Sequence, residues 1–399
     1  MRGIDAHLGP PTHFVVAVPR KLSNLSASPS VSRIAMLRHV AETLAFGAVG
    51  GLTFGLLGMP AGWLSGSIIV VAAAALAGRP MFIPILMMRI LLVALGISLG
   101  AVVTPETLQG MATYPLSIVV LLMAMFCVSI AGWTYLRVVH GWNNVTAYLA
   151  SAPGAMSQVM AVGAELDADL RAIAIVQTIR VVIVAVGLPT ALLAFGFAGH
   201  GAARAGGAFI VAQLGELAIL IAASTVMAIV AHRIRFPGGL LFGALLTSAA
   251  LHGSGYIHVV MPRWITDIVM ICFGGVIGAR FANTSLRLLL DFVGAALGLF
   301  AVALSIAAVF AGGLLMFIHV PVAEVMIAYA PGSVDAMMLL ALALHLDPVY
   351  VGAHHLSRIF FVSLTMPFMA RHQARKAAKP ENADVLRRQR QRFRWPFRD

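Results

Sequence analysis

The sequence predicts an all-α polytopic membrane protein made of two inverted-topology copies of one module, with about 10 transmembrane helices. Three observations support this fold class. Hydrophobic residues make up 60% of the chain and charged residues only 11%, too few to cover a water-soluble protein. Apolar stretches of roughly 17 to 25 residues, long enough to span a bilayer, recur between residues 37 and 370. The third observation is an internal duplication.

The duplication becomes visible when the sequence is shifted by 178 residues. The aligned landmark residues are Ala152-Pro153-Gly154 on Ala330-Pro331-Gly332, Asp169 on Asp347, Arg180 on Arg358 and Pro189 on Pro367. Gly96 and Gly100 fall on Gly274 and Gly278 at the same shift, whereas Pro60 and Gly62 match Pro237 and Gly239 at 177. The two halves therefore share one order of elements.

In each copy, the sequence predicts four helices, which we name a, b, c and d, then an interrupted segment e and a final helix f. The ranges are 37–57 and 208–232 for a, 60–77 and 237–252 for b, 82–103 and 261–281 for c, 112–138 and 288–318 for d, and 171–197 and 348–370 for f. They divide the chain into a disordered basic N-terminal extension (1–36), a first membrane repeat (37–200), a second membrane repeat (207–370) and a basic cytoplasmic tail (371–399).

Segment e contains Ala-Pro-Gly in both copies, and such residues interrupt helices. In lipid, an interruption survives only where protein or a cavity satisfies the freed backbone groups. Segment e is therefore a re-entrant hairpin or a broken crossing helix. A hairpin inverts the second copy and places nearly all loop arginines on the cytoplasmic side. We therefore expect inverted repeats, cytoplasmic termini and a location in the bacterial inner membrane.

The formal charge of +12 lies almost entirely in the two tails. Residues 1–40 carry 5 basic residues against one acidic residue, and residues 371–399 carry 10 against 3. Such tails suit an anionic leaflet, so we expect the lipid bilayer as a partner and no nucleic acid. Cys127 and Cys272 form no CxxC site, and the histidines lack the spacing of a ligand set. The sequence predicts no metal, no cofactor and no catalytic residues.

The Ala-Pro-Gly segments are the candidate substrate-binding elements. Each would place a half-helix N-terminus near the middle of the bilayer, beginning at Pro153 in the first copy, and such termini attract anions. The predicted substrate-binding residues are Pro153, Gly154, Ser157, Gln158, Arg180, Pro331, Gly332, Ser333 and Arg358. The alternative interpretation is a structural kink that packs two hairpins.

Arg180 and Arg358 lie about nine or ten residues into helix f, roughly 15 Å from its start, too deep to reach the near surface. They would bind a substrate anion, or they would bond to the Ala-Pro-Gly carbonyls or to Asp335 as structural contacts. Asp335 stands where the first copy has Ser157. It is the candidate for proton or sodium coupling, and the alternatives are a helix N-cap or a salt bridge.

The stretches SAPGAMSQVMAVGAELDAD before Arg180 and YAPGSVDAMMLLALALHLDP before Arg358 resemble the bacterial AbrB-type family of duplicated membrane proteins. The resemblance covers roughly residues 37 to 370. Members often carry the labels ammonia monooxygenase or AbrB family transcriptional regulator, and the family is similar to the cation/proton antiporter and anion transporter superfamily. The resemblance implies a transporter and names no substrate.

The leading functional hypothesis is a secondary transporter, not an enzyme. Its solute would be small and anionic or carboxylate-bearing, its coupling ion a proton or sodium, and a homodimer is one compatible assembly. The alternative is an integral-membrane sensor or regulatory protein that influences gene expression through a partner. A membrane monooxygenase is the third hypothesis, for which the residues offer no copper-ligand set.

Overall fold

The computed structural model describes residues 33–103, 114–152, 156–197, 214–282 and 284–377. These ranges contain 14 α-helices and no strand. The first copy forms α1 (Arg33–Leu56), α2 (Gly62–Leu76), α3 (Ile85–Gly100), α4 (Tyr114–Val138), α5 (Asn144–Ser151), α6 (Met156–Glu165) and α7 (Leu170–Ala194). The second copy forms α8 (Leu214–Arg233), α9 (Gly239–Gly253), α10 (Arg263–Gly278), α11 (Leu286–Leu315), α12 (Val322–Tyr329), α13 (Val334–Ala343) and α14 (Pro348–Ala377).

The chain separates into a short N-terminal unit, Met1–Arg38, and a second unit, His39–Asp399. Of the first unit the structure describes only the beginning of α1. Most of the predicted N-terminal extension and most of the predicted tail lie outside the described residues. The second unit contains the rest of α1 and all other helices.

The helices confirm the predicted all-α polytopic membrane fold. Among the described residues, α4, α7, α8, α11 and α10 with its 3₁₀ extension are long and apolar enough to cross a membrane. Four shorter helices, α2, α3, α9 and α13, are also apolar. The predicted ranges of helices b, c and d agree with the observed ends within a few residues. Helix f of the second copy continues to Ala377, past its predicted end at 370.

Helices b and c of one copy pack against those of the other, α3 on α9 and α10 on α2. A Cβ added at Gly96 of α3 would lie 2.8 Å from the Cβ of Ala244 in α9. A Cβ added at Gly278 of α10 would lie 2.8 Å from the Cβ of Val71 in α2. Only glycine permits such backbone approach, so the duplicated Gly-x3-Gly pairs lie at close contacts between helices of the two copies. The two copies are therefore interlocked.

Each segment e turns back on itself. We call α5 with α6 hairpin 1 and α12 with α13 hairpin 2. The N–H of Asp169, after α6, donates to Oγ1 of Thr146 in the first turn of α5 (3.0 Å). The N–H of Asp347, after α13, donates to Oε1 of Glu324 in the first turn of α12 (3.3 Å). Because the start of each segment meets its end, the described parts of both segments fold as hairpins, and hairpin 2 turns at Ala330-Pro331-Gly332.

The start of each helix f is capped by the same residue type. Asp169 accepts a hydrogen bond from the N–H of Ala172 (3.0 Å), and Asp347 accepts from those of Val349 (2.7 Å) and Tyr350 (3.3 Å). These bonds satisfy N–H groups that have no partner within the helix. The duplicated caps fix where α7 and α14 begin, and hence how deep Arg180 and Arg358 lie.

Candidate functional site

A cavity of about 520 Å³, which we call cavity 1, lies beside the start of α6 in hairpin 1 and the start of α13 in hairpin 2. Residues from α3, α6, α7, α13, α14 and the turn between α8 and α9 line it. Its principal charged and polar lining residues are Arg89, Gln158, Arg180, Arg280, Asp335 and Arg358. Both copies therefore contribute to one polar site.

Most of the predicted site residues that the structure describes meet in this cavity. Gln158, Arg180, Gly332, Ser333, Asp335 and Arg358 all line it. Pro331 instead lines an apolar cavity of about 510 Å³ on the other side of the hairpin 2 tip. Pro153 and Gly154 lie outside the described residues, and Ser157 lies in α6. Residues that follow both Ala-Pro-Gly sequences thus share a site, although Pro331 does not face it.

Arg358 binds the backbone of hairpin 2. Its Nη1 donates to the carbonyl of Ala330 (2.9 Å) and its Nη2 to that of Ala328 (2.8 Å). These carbonyls lie at the C-terminal end of α12, where helix geometry leaves oxygens without partners inside the helix, and that of Ala330 also accepts the N–H of Gly332 (2.8 Å). The side chain is only 2% exposed, so the two bonds form away from water. The structural interpretation of Arg358 is therefore correct at this position, while the residue still reaches the cavity wall.

Arg180 differs from its second-copy equivalent. It is 3% exposed and lines cavity 1, and its guanidinium donates no hydrogen bond to a described residue. Its Nε is a buried nitrogen without a partner in the described part of the chain. Arg358, the nearby cation, repels it electrostatically. A buried, unpaired cation is costly unless a counter-charge or ligand is present.

Asp335 is the one carboxylate among the described residues lining cavity 1. Its electrostatic partner is Arg280, which follows α10. Ser333 is the N-cap of α13, since its Oγ accepts the N–H of Ala336 (3.4 Å), so the N-cap alternative for Asp335 is wrong. Asp335 instead lies in the first turn of α13, half-buried at the cavity wall.

Two glutamines hold the cavity wall in place. Gln158 Nε2 donates to Ser363 Oγ on α14 (2.8 Å), which links hairpin 1 to helix f of the other copy. Gln177 Nε2 donates to the carbonyl of Leu149 in α5 (3.1 Å). The second copy repeats this contact between His355 Nε2 and the carbonyl of Ile327 (3.3 Å). Gln158 is thus a bridging residue at the site as well as a lining one.

The sequence interpretation missed Arg89, Gln177 and Arg280 as site residues. Arg280 was treated as a loop arginine, although it comes two residues after Gly278. Arg89 lies in the first turns of α3 and is exposed at the cavity. The available signal was one basic residue near each helix c, close to the start of α3 and just after the end of α10. Cavity 1 thus contains four arginines and one carboxylate among its described lining residues.

Comparison with known proteins identifies the family. The model of the AbrB family, described as "Transition state regulatory protein AbrB", matches residues 63–374. The protein "Putative regulator AbrB" of Escherichia coli (strain K12) is 28% identical over 291 residues, which cover 71% of this chain and 82% of that protein. The "Uncharacterized protein YhjN" of Bacillus subtilis (strain 168) is 24% identical over 353 residues, 81% of this chain and 90% of that protein. With its duplicated helices and a family match over most of its length, this chain belongs to the AbrB family of membrane proteins.

Proposed function

We propose that the protein is a secondary transporter that carries a small anionic or carboxylate-bearing solute, and that cavity 1 binds it. The observation that carries the proposal is Arg180, a buried guanidinium at the cavity wall without a partner among the described residues. An anion in the cavity would supply the missing hydrogen-bond acceptor and the missing counter-charge. Guanidinium groups suit carboxylates and other oxyanions because two parallel N–H groups bind two oxygens.

The charge balance of the cavity favours the same class of solute. Arg89, Arg180, Arg280 and Arg358 face one carboxylate, that of Asp335. The start of α13 adds the partial positive charge of a helix N-terminus at Ser333. Because the cavity is surrounded by apolar helices, these charges are screened less than they would be on a surface. An anion is therefore the solute that the site would stabilise most.

The hairpins support inverted repeats. If each hairpin enters and leaves on one side, each copy crosses the bilayer five times, through helices a to d and f, and the second copy is inverted. This arrangement keeps the basic tails and most loop arginines on the cytoplasmic side, as the positive-inside rule requires. We place the protein in the bacterial inner membrane with both termini cytoplasmic.

Asp335 is our candidate for coupling transport to protons or sodium. It lies within the cationic cavity and interacts with Arg280. When its charge is neutralised by a proton or a sodium ion, the cavity becomes more positive and attracts the anion more strongly. Binding of the solute and of the coupling ion would then favour each other.

The test is thermal stabilisation of the purified protein by sulfate, phosphate, acetate and succinate, with ethylamine as a cationic comparison. A ligand of the folded state raises the melting temperature by mass action. We expect at least one anion to do so in the native protein and none in Arg180→Ala. Arg171→Ala is the matched control, because Arg171 is an exposed arginine at the start of the same helix. Absence of stabilisation by every anion, or full stabilisation of Arg180→Ala, would contradict the proposal.

A second function is favoured by the names of the family and of its Escherichia coli relative, which describe regulators. In this alternative the chain is a membrane sensor, and the basic segment 371–399 binds a partner protein. Removal of residues 378–399 distinguishes the two functions. A transporter without this segment keeps its anion uptake in proteoliposomes, whereas a sensor loses its effect on gene expression while anion binding persists.

A further inference from the structure

A second cavity of about 630 Å³, cavity 2, lies at the opposite end of α13 from cavity 1. It is lined by the start of α2, the end of α3, the start of α10 and residues 342–345 after the middle of α13. Its charged and polar lining residues are Ser98, Arg263, Thr266, Asp267 and His345. None of the residues assigned above to the anion site belongs to it.

Cavity 2 is built from the repeat-equivalents of residues that build cavity 1. The shift of 178 relates four lining residues of α3 to four of α10: Ile85 to Arg263, Met88 to Thr266, Arg89 to Asp267 and Leu92 to Met270. At a shift of 177, Pro237-Gly238-Gly239 of cavity 1 corresponds to Pro60-Ala61-Gly62 of cavity 2. Gly238 and Ala61 even share a left-handed backbone, with φ of 67° and 50°. Such agreement points to two equivalent openings.

The corresponding helices run in opposite directions between the two cavities. α3 begins at cavity 1, and Ala101 and Val102 after its end line cavity 2. α10 begins at cavity 2, and Arg280 after its end lines cavity 1. Two copies related in this way would open to opposite faces of a bilayer.

The partition between the cavities includes α13. This helix has 10 residues and, at 1.5 Å per residue, is about 15 Å long. Gly332 to Asp335 line cavity 1 at its start, and Leu342 to His345 line cavity 2 at its end. The intervening side chains are 0% exposed, namely Met337, Met338, Leu339, Leu340 and Ala341. The two cavities are therefore separated by a closed layer of apolar side chains that is about as thick as α13 is long.

We propose that cavity 2 is the second mouth of the solute route, which admits or releases the same small anion at the opposite membrane face. This inference rests on the transporter function proposed above. In cavity 2 the charge of Arg263 is balanced by Asp267, whereas cavity 1 has an excess of arginines. Cavity 2 therefore binds an anion less tightly than cavity 1. Hairpin 2, which contains α13, must move for the anion to pass from one cavity to the other.

The proposal is tested by thiol labelling in oriented membranes. Cys127 and Cys272 are first replaced by Ser, since both are free thiols. Met88→Cys and Thr266→Cys then place single thiols at equivalent, half-buried positions in cavities 1 and 2. A membrane-impermeant maleimide is expected to label Met88→Cys from one face alone and Thr266→Cys from the other alone. Labelling of both thiols from the same face overturns the proposal.

A third thiol tests passage between the cavities. Ala341→Cys lies in the closed layer of α13, so a static partition leaves it unreactive from both faces. If the solute passes between the cavities, movement of α13 exposes the thiol at position 341 to each cavity in turn. We therefore expect slow labelling of this thiol from both faces. If Met88→Cys and Thr266→Cys are labelled from opposite faces but Ala341→Cys stays unreactive, cavity 2 is a pocket that does not connect to cavity 1. This outcome also overturns the proposal.

Controls separate this inference from the anion site itself. If either single-cysteine protein does not fold, Ile85→Cys and Arg263→Cys form a second equivalent pair, both at exposed positions. Stabilisation by sulfate, phosphate, acetate and succinate is measured on the same cysteine variants. Loss of anion binding with the expected labelling would contradict the anion site alone, whereas anion binding with same-face labelling would contradict cavity 2 alone.

Discussion

Arg180 and Arg358 occupy equivalent positions in α7 and α14, but among the described residues only Arg358 finds hydrogen-bond partners, the carbonyls of Ala328 and Ala330. The duplicated arginine has thus acquired two roles. One guanidinium holds the end of α12, and the other is left at the wall of a cationic cavity. This division makes the consequences of changing the two residues opposite in kind.

Arg358→Ala is expected to lower the stability of the protein by about 1 to 3 kcal/mol, because the buried carbonyl of Ala328 loses the guanidinium and that of Ala330 keeps only the N–H of Gly332. Arg180→Ala is expected to leave stability unchanged or to raise it, since it removes a buried charge that has no partner in the described part of the chain. The measurement is thermal unfolding in detergent without added anion. A larger loss of stability in Arg180→Ala than in Arg358→Ala would show that the roles are assigned the wrong way round.

Asp335→Asn is expected to abolish the pH or sodium dependence of anion uptake while permitting binding. The substitution removes the only carboxylate among the described lining residues of cavity 1, so an anion should bind at least as tightly as before. Uptake in proteoliposomes is measured at two pH values, with and without sodium. Asp291→Asn, on α11 and outside the lining of cavity 1, is the control. Unchanged dependence in Asp335→Asn would remove the residue from coupling.

Glu324 can be replaced by the residue that the first copy uses at the same place. Thr146 and Glu324 are equivalent, and each accepts the N–H of the aspartate that follows its hairpin. Glu324→Thr is therefore expected to keep the melting temperature close to that of the native protein. Glu324→Ala removes that hydrogen bond and is expected to lower the free energy of unfolding by about 1 kcal/mol. Equal melting temperatures for the two variants would show that the bond does not hold the hairpin closed.

Gly278→Ala is expected to destabilise the protein, because the added Cβ would lie within 3.0 Å of the side chain of Val71 and the backbone of α2. Gly187→Ala is the matched control on another apolar helix, where a Cβ would meet nothing within 4 Å. The control should be neutral or stabilising, since alanine favours helix over glycine. Thermal unfolding of both variants checks the prediction, which fails if they behave alike.

The duplication allowed much of this structure to be predicted from sequence. Asp169 and Asp347 were aligned as landmarks just before the predicted helices f, and both cap a helix. Gly278 was aligned with Gly100, and both lie at close helix contacts. These predictions succeeded because they depend on local geometry that both copies repeat.

The site was predicted only in part, because its remaining features depend on how distant segments meet. Arg280 belongs to the cavity since α10 packs across onto α2 of the other copy, a contact that hydropathy cannot indicate. Pro331 faces away from the site because the chain turns within the break itself. The different partners of Arg180 and Arg358 likewise depend on carbonyl positions that no sequence pattern encodes.

The interlocked packing of the two copies sets an order for biosynthesis. When α2 and α3 leave the ribosome and enter the membrane, the faces that will pack against α10 and α9 have no partner yet, because those helices have not been translated. These faces remain exposed to lipid, or covered by insertion factors, until α9 and α10 have been inserted into the membrane. A ribosome stalled between the copies would therefore leave a half-protein with unmatched surfaces, which quality-control proteases would recognise and degrade.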